Sequence, residues 1–315
     1  MRGLIKGFAS IKSIKNKLTP LGIVLLICLC AYVILLLAPL VWAFLSSLRD
    51  PWFYRMDSLW WIKGKEGDVL YFDNYKTIGE IFWCEVTRVG VGTYKVGMWK
   101  MFGFSLLYAI GCAFTASFVP CVTAYCCSKF PCKLSKTVVT IVIICMSLPI
   151  VGSLPSEIKV VKFLGLYDRL WAMWVMKANF LGLYFLVFYA AFNGVSDTYS
   201  EAAKIDGAGN FRIFFGIIMP LMKNTFFTVM LIKFIEFWND YQNPLIYMNS
   251  YPTIAIGLYS LLTTNDPRKM ASTGYANTDP QKMAAAMAVL FPILIVFIAF
   301  QKKLLGDLTI GGVKG

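Results

Sequence analysis

The polar side chains with the clearest chemical potential lie together near residues 233–245, at the end of an apolar stretch. Lys233 and Glu236 are three residues apart, which places them on one face of a helix where their charges can pair. Ionisable groups inside an apolar span cost about 2.5–3.5 kcal/mol each to insert, so they normally face protein or water rather than lipid. This face therefore either lines a polar route or forms a structural ion pair against a neighbouring subunit. The residues that follow combine hydrogen-bonding and aromatic side chains, as sugar-binding surfaces do: Trp238, Asn239, Asp240, Tyr241, Gln242 and Asn243.

Other kinds of chemistry have few candidate residues in this chain. It contains no histidine, and its apolar spans hold no pair of carboxylates, so acid–base catalysis lacks its usual groups. Cys126, Cys127 and Cys132 are close in sequence, but their spacing fits no zinc-site pattern. The phosphate-binding string G-x-x-x-x-G-K followed by Ser or Thr is absent as well. We therefore expect that the chain binds no metal or other cofactor and is not itself an enzyme.

The composition is that of a membrane protein. Of 315 residues, 58% are hydrophobic and 15% are charged, and the mean hydropathy is +0.65. A helical crossing of the bilayer needs about 20 mostly apolar residues, and helices satisfy their own backbone groups in lipid. The predicted fold is an all-α polytopic membrane protein with six transmembrane helices, at residues 20–46, 101–125, 137–155, 173–193, 220–238 and 283–301. Lys177 interrupts the fourth stretch, and Lys233 with Glu236 interrupts the fifth.

Basic residues indicate how the chain is oriented. The formal net charge of +13 would suggest nucleic-acid binding in a soluble protein, but basic residues also collect at the cytoplasmic ends of membrane helices. Residues 1–20 carry basic charges and no acidic one, so we expect both termini in the cytoplasm and no nucleic-acid partner. The predicted organisation is a cytoplasmic N-terminus at 1–20, a first transmembrane helix at 21–46, an extracellular segment at 47–100, a core at 101–301 and a cytoplasmic tail at 302–315.

The predicted cytoplasmic connection at residues 194–219 is longer than a simple link between two membrane helices needs to be. Thr198 followed three residues later by Glu201 is a capping-box pattern that predicts a helix start. Gly207 is placed to end that helix in a left-handed conformation. A second helical stretch is predicted at 211–218, with Pro220 opening the next span. Such a helix could also rest on the lipid surface. A lipid-bound helix would be expected to have a Lys-rich polar face, whereas acidic residues outnumber basic ones here.

The sequence of this connection resembles the E-A-A loop of binding-protein-dependent importer permeases. The residues that carry the resemblance are Glu201, Ala202, Ala203, Gly207, Ile217 and Pro220. The run Asp206-Gly207-Ala208 resembles the carbohydrate branch, and in particular the smaller permease of maltose-type systems. Residues 238–245 and 311–315 resemble further motifs of that branch, so the resemblance covers about residues 98–315. Met219 departs from the family pattern, which has Leu there.

The resemblance implies the type I ABC importer permease fold and the import of a sugar or oligosaccharide across a bacterial plasma membrane. In the family this loop is a coupling helix in a cleft of a separate ATPase, which assigns ATPase coupling to Glu201, Ala202, Ala203, Asp206, Gly207 and Ala208. The implied partners are a second permease subunit in a heterodimer, two ATPase subunits that use ATP and Mg, membrane lipid, and an extracellular solute-binding protein facing residues 249–282. Two alternatives stay open: a permease of this architecture for a non-sugar solute, and an ion-driven secondary transporter.

Overall fold

The computed structural model describes residues 19–51, 54, 70–88, 90, 92–148, 152–263 and 278–307. Most of the described residues are helical, as the sequence predicts. The chain divides into two compact units, residues 1–78 with 278–287 and residues 79–277 with 288–315. The basic N-terminal residues 1–18, the outer-loop residues 264–277 and the C-terminal residues 308–315 lie outside the described residues.

The first unit contains a long apolar helix, α1 (Pro20–Ser47), and the start of a second helix, α2 (Asp73–Ile81). The side-chain amide of Asn74 joins them by donating to the carbonyls of Ser47 and Arg49, at 2.9 and 2.8 Å. Because Asn74 is buried, these bonds satisfy donors that would otherwise be costly to remove from water. They fix α2 against the end of α1.

A β-hairpin follows α2 in the second unit. β1 (Trp83–Arg88) and β2 (Gly92–Gly97) pair in antiparallel register. The turn between them uses Gly90 and Gly92 at φ of +83° and +90°, a conformation that glycine adopts at little cost. The hairpin lies within residues 47–100, the segment predicted to be extracellular, and it is an addition to the predicted helical class.

The rest of the second unit is helical, with a core around one long helix, α3. The elements are α3 (Met98–Lys129), α4 (Lys133–Ser147), α5 (Leu154–Phe163), α6 (Leu170–Met176), α7 (Leu183–Asn193), α8 (Thr198–Ile205), α9 (Asn210–Ile213), a π-helical segment (Phe214–Ile218), α10 (Met219–Asn239), α11 (Gln242–Tyr247) and α12 (Ile254–Thr263). A last helix, α13 (Asp279–Asp307), contributes to both units. α3 packs against α6, α7 and α10. Small buried side chains on α3, such as Ala109, Ala113 and Ala116, permit this close approach.

Within the described ranges, four helices are long and apolar enough to cross a membrane: Pro20–Ser47, Met98–Lys129, Asn210–Asn239 and Asp279–Phe300. The other two predicted spans are interrupted, so the count of six is not confirmed. In the stretch 137–155, α4 ends at Ser147 and α5 begins only after Gly152, whose φ is +80°. The stretch 173–193 is divided between α6 and α7. There the Asn179 side chain accepts the Leu181 backbone N–H at 2.8 Å, which replaces a helical hydrogen bond.

A cysteine caps the start of α4. The Cys132 sulfur accepts the Ser135 backbone N–H at 3.4 Å, and the Ser135 hydroxyl accepts the Cys132 backbone N–H at 2.9 Å. This reciprocal pair is a capping box. The hydrogen bond from the Ser135 backbone lowers the pKa of the Cys132 thiol, because it stabilises the thiolate. The described role of Cys132 is therefore to cap a helix.

We expect Gly111→Ala to lower the thermal stability of the protein. A β-carbon at Gly111 would lie 2.1 Å from Nε1 of Trp174, and that indole donates to the Leu107 carbonyl at 3.2 Å, so moving the ring breaks a bond. Overpacking of this kind costs about 1–3 kcal/mol. The midpoint of thermal unfolding in detergent measures the effect. Gly103→Ala on the same helix is the matched control, because a β-carbon there meets nothing within 4 Å. Equal midpoints for the two variants would contradict the prediction.

Candidate functional site

The E-A-A loop (residues 194–219) contains helix α8, which ends in a tight turn at Gly207. Gly207 has a φ of +78°, so the predicted left-handed conformation is confirmed. Its N–H donates to the Lys204 carbonyl at 3.0 Å, and the N–H of Ala208 donates to the Ala203 carbonyl at 2.9 Å. These two bonds form a Schellman motif. The motif fixes the direction in which the chain leaves α8.

The start of α8 differs from the prediction. The predicted capping box of Thr198 and Glu201 is absent, since α8 begins after Asp197 with no side-chain cap. The backbone N–H and the hydroxyl of Thr198 instead contact the Ser196 hydroxyl, at 3.3 and 2.8 Å. A serine two residues earlier competes for the same groups, so a local serine turn replaces the capping box.

The second helix of the loop is longer than predicted. Residues 210–239 form one continuous helix in which Phe214–Ile218 is π-helical, whereas the sequence predicts a separate stretch at 211–218. Pro220 lies in the first turn of α10, as predicted, and the π-helical segment joins α10 to α9 without a break. Proline lacks an N–H and clashes with the carbonyl four residues earlier, so the wider π-helical turn just before it allows the helix to continue.

The E-A-A loop has a buried face and an exposed face. Ala203, which is 6% exposed, belongs to a hydrophobic cluster with Phe214, and the Phe214 ring centroid lies 4.6 Å from that of Tyr125 on α3. On the other face, Ile205 and Phe211 are 86% and 84% exposed. Of the other predicted coupling residues, Ala208 is half-buried and four are exposed: Glu201, Ala202, Asp206 and Gly207. The loop is thus held by one face and presents an apolar surface on the other.

An ion pair attaches the E-A-A loop to the end of α3. The Lys129 ammonium donates to the Val195 carbonyl at 2.6 Å and to the Asp197 carboxylate at 2.7 Å. The Lys129 side chain is 8% exposed, so the contact is largely shielded from water on that side. The Ser128 hydroxyl adds a bond to the Asn193 side chain at 2.6 Å. Sequence patterns give no signal for the ion pair, because its partners are 68 residues apart.

The second predicted site lies at a polar cavity of about 700 Å³ within the second unit. Lys233 and Glu236 line this cavity and form the ion pair expected from their spacing, with Nζ and Oε2 2.8 Å apart. The Lys233 ammonium also lies 4.8 Å from the centroid of the Tyr184 ring, a cation–π distance. The break between α6 and α7 and the first turn of α7 contribute much of the lining, from Met176 to Phe185 without Ala178. The non-helical backbone between α6 and α7 therefore borders a cavity.

Asp240 is the centre of a hydrogen-bond network in the same cavity. Its carboxylate accepts from the Tyr108 hydroxyl at 2.7 Å and from the Asn243 backbone N–H and side-chain amide, at 3.1 and 2.8 Å. The Asn243 side-chain oxygen accepts from the Lys177 ammonium at 2.9 Å. The network joins α3, the break after α6 and the start of α11.

Four of the predicted residues, including Gln242, lie outside the cavity. Trp238 is buried, with its ring centroid 5.5 Å from that of Phe102. Tyr241 stacks on Tyr259 with centroids 4.7 Å apart. The Asn239 amide donates to a carbonyl of its own helix at 2.9 Å. A helix turns by about 100° per residue, so consecutive residues cannot share one face.

The cavity also contains polar residues that the sequence analysis does not assign to a site, including Glu157, Lys177 and Asn179. A signal for Lys177 is present in the sequence, because a charge that interrupts an apolar stretch needs polar surroundings. Asn179 carries no such signal, since its role depends on the break in the helix. The candidate site is therefore built from the end of α10 together with the α6–α7 break.

Comparison with known proteins decides the family. Residues 117–306 match the family described as "Binding-protein-dependent transport system inner membrane component". This match covers more than half of the chain, including the E-A-A loop and most of the cavity wall. The chain belongs to this family. The permease is a membrane-spanning transport component that works with partner proteins, and the family is one of transporter subunits rather than enzymes.

Curated relatives of the permease carry oligosaccharide transport in their names. It is 35% identical over 117 residues to the "Arabinooligosaccharides transport system permease protein AraQ" of Bacillus subtilis, which covers 36% of this chain and 38% of AraQ. It is 28% identical over 255 residues to the "Galactooligosaccharides transport system permease protein GanQ" of the same organism, which covers 78% and 80%. The permease thus spans little more than a third of AraQ and most of GanQ.

The fold of the permease is similar to that of a solved structure described as "Crystal structure of a bacterial ABC transporter involved in the import of the acidic polysaccharide alginate". The TM-score is 0.68 at 20% sequence identity, and the match covers 90% of the permease and 95% of that chain. This likeness concerns the fold alone. The predicted ABC importer permease fold is confirmed.

Proposed function

We propose that this chain is the membrane-spanning permease subunit of an ATP-driven, binding-protein-dependent importer of a sugar or oligosaccharide. The observation that carries the proposal is the E-A-A loop, which is anchored on one face and exposes Ile205 and Phe211 on the other. Large apolar side chains left exposed on an anchored loop are typical of a docking surface. Family membership and the names of AraQ and GanQ support the importer class and the sugar.

The exposed face of the E-A-A loop fits a separate ATPase subunit, and two such subunits would use ATP and Mg. Ile205 and Phe211 would enter the ATPase cleft, while Glu201 meets a basic partner. Ala202 and Asp206 lie beside them on the exposed side. Because Lys129 binds the loop to α3, a displacement of the loop also moves the transmembrane helices. This chain itself would bind no cofactor.

The cavity at the end of α10 would form part of the sugar route, completed by a second permease in a heterodimer. Its volume of about 700 Å³ lies within the range of about 300–1,000 Å³ that small-molecule sites occupy. An extracellular solute-binding protein would deliver the sugar on the opposite side from the E-A-A loop. We propose that the chain lies in a bacterial plasma membrane, surrounded by lipid, with both termini in the cytoplasm and no nucleic-acid partner.

Reconstitution tests the proposal. The chain is co-purified with the products of neighbouring genes, reconstituted in liposomes and supplied with candidate solute-binding proteins and labelled oligosaccharides. We expect uptake that requires ATP on the side of the E-A-A loop and requires the ATPase. Uptake by this chain alone, driven by an ion gradient, would establish the secondary-transporter alternative. ATP-driven uptake restricted to amino acids or phosphate would establish the non-sugar alternative.

A further inference from the structure

The Lys177 ammonium lies in the cavity with a neutral partner. Lys177 ends helix α6 at the break that forms one cavity wall. Its Nζ donates to the Asn243 side-chain oxygen at 2.9 Å. Among the described residues, no carboxylate oxygen lies within the 4.0 Å ion-pair distance of Lys177. An ammonium has three N–H donors, so Lys177 keeps both charge and donors for a ligand.

The cavity wall also carries the Lys233 ammonium and three carboxylates, those of Glu157, Glu236 and Asp240. Lys233 is neutralised by Glu236 at 2.8 Å. Asp240 accepts three hydrogen bonds, from the Tyr108 hydroxyl and from two groups of Asn243. These pairings leave Lys177 as the cation in the described wall without a direct carboxylate partner. A charge removed from water is stabilised most by a partner of opposite charge that also hydrogen-bonds to it.

We propose that this cavity binds a sugar carrying a single carboxylate, as a uronic acid residue does, with Lys177 as the partner of that carboxylate. A single charge fits better than a doubly charged phosphate, because Glu157, Glu236 and Asp240 also line the cavity and repel additional negative charge. The inference rests on the proposed function and deepens it, since it names the substrate class. It also gives this subunit a direct contact with the transported sugar.

Equilibrium binding to the importer complex, purified without its solute-binding protein, tests the inference. Calorimetry compares a disaccharide that carries one uronic acid with its primary amide, which has nearly the same shape and no charge. A hydrogen bond between two charged groups is stronger than one to a neutral amide, so the acid should bind about tenfold more tightly than the amide. Lys177→Gln should remove this preference, and Lys177→Arg should preserve it. Lys159→Gln, an equal change of charge at an exposed position outside the cavity, is the control.

Several results would overturn the inference. Equal binding of acid and amide to the wild-type complex would do so without any variant, even if Lys177→Gln failed to assemble. The same conclusion would follow if Lys177→Gln weakened binding of the acid and of the amide equally, or if the wild-type complex bound neither ligand. ATP-driven uptake of neutral oligosaccharides with no binding or uptake of the acid would leave the importer function standing while the carboxylate site falls.

Discussion

Gly207→Val is expected to abolish ATP-driven uptake and to release the ATPase subunit from the purified complex. Gly207 has a φ of +78°, and a β-carbon in the left-handed region costs about 1–2 kcal/mol, with more for a branched side chain. A β-carbon at Gly207 would meet nothing within 4 Å, so the cost is conformational and does not come from a clash. The Schellman bonds of Gly207 and Ala208 should break, and the exposed face of α8 should change direction. Co-purification of the ATPase and uptake in liposomes measure the two effects.

A second glycine in the same loop provides the control. Gly209 has a φ of −71°, which any residue can adopt, and a β-carbon there also meets open space. Gly209→Ala should therefore assemble and transport as the wild type does. If Gly207→Val retained the ATPase and full uptake, the left-handed turn would not be needed for coupling.

Ile205→Asp is expected to weaken ATPase binding by at least about tenfold, because an unpaired carboxylate buried in an interface costs several kcal/mol. Ile205 is 86% exposed in the single chain, so the substitution leaves the interior of the permease intact. The fold of the isolated chain should be unchanged, while the docked complex should be lost. Binding of the purified ATPase to immobilised permease measures the affinity, and thermal unfolding in detergent verifies the fold.

An equally exposed apolar residue elsewhere separates docking from a general effect of charge. Phe163, at the end of α5, is 89% exposed and lies outside the E-A-A loop. Phe163→Asp should bind the ATPase with wild-type affinity. Equal losses in the two variants, or an unchanged affinity for Ile205→Asp, would show that α8 does not enter the ATPase.

Features that depend on a few consecutive residues could be predicted from the sequence. The left-handed turn at Gly207 follows from a helix that must end and reverse. The pairing of Lys233 with Glu236 follows from helical spacing alone. The apolar lengths of α1, α3, α10 and α13 follow from composition. In each case the cause lies within one helix or one turn.

Features that depend on distant partners could not be predicted. The end of α4 and the α6–α7 break lie in stretches whose apolar composition alone suggests continuous spans. Trp238 is a residue type that is common in sugar-binding sites, but its ring packs in the core against Phe102 of another helix. One missed feature is local: Thr198 has the right spacing for a capping box, but Ser196, two residues earlier, takes its hydrogen bonds instead. The contact of Lys177 with Asn243 forms only when the α6–α7 break and α11 pack together.

The continuous helix from Asn210 to Asn239 can convert a small tilt at one end into a displacement of the other end. It contains 30 residues, and at 1.5 Å per residue it is about 45 Å long, so a tilt of about 5° at one end displaces the other by about 4 Å. The hydrogen bond between Tyr108 and Asp240, just past the far end, is 2.7 Å long and would not survive stretching beyond about 3.5 Å. A rotation of a few degrees imposed at the E-A-A loop is therefore large enough to disconnect the polar network that borders the cavity, so the position of the loop and the shape of the cavity are coupled.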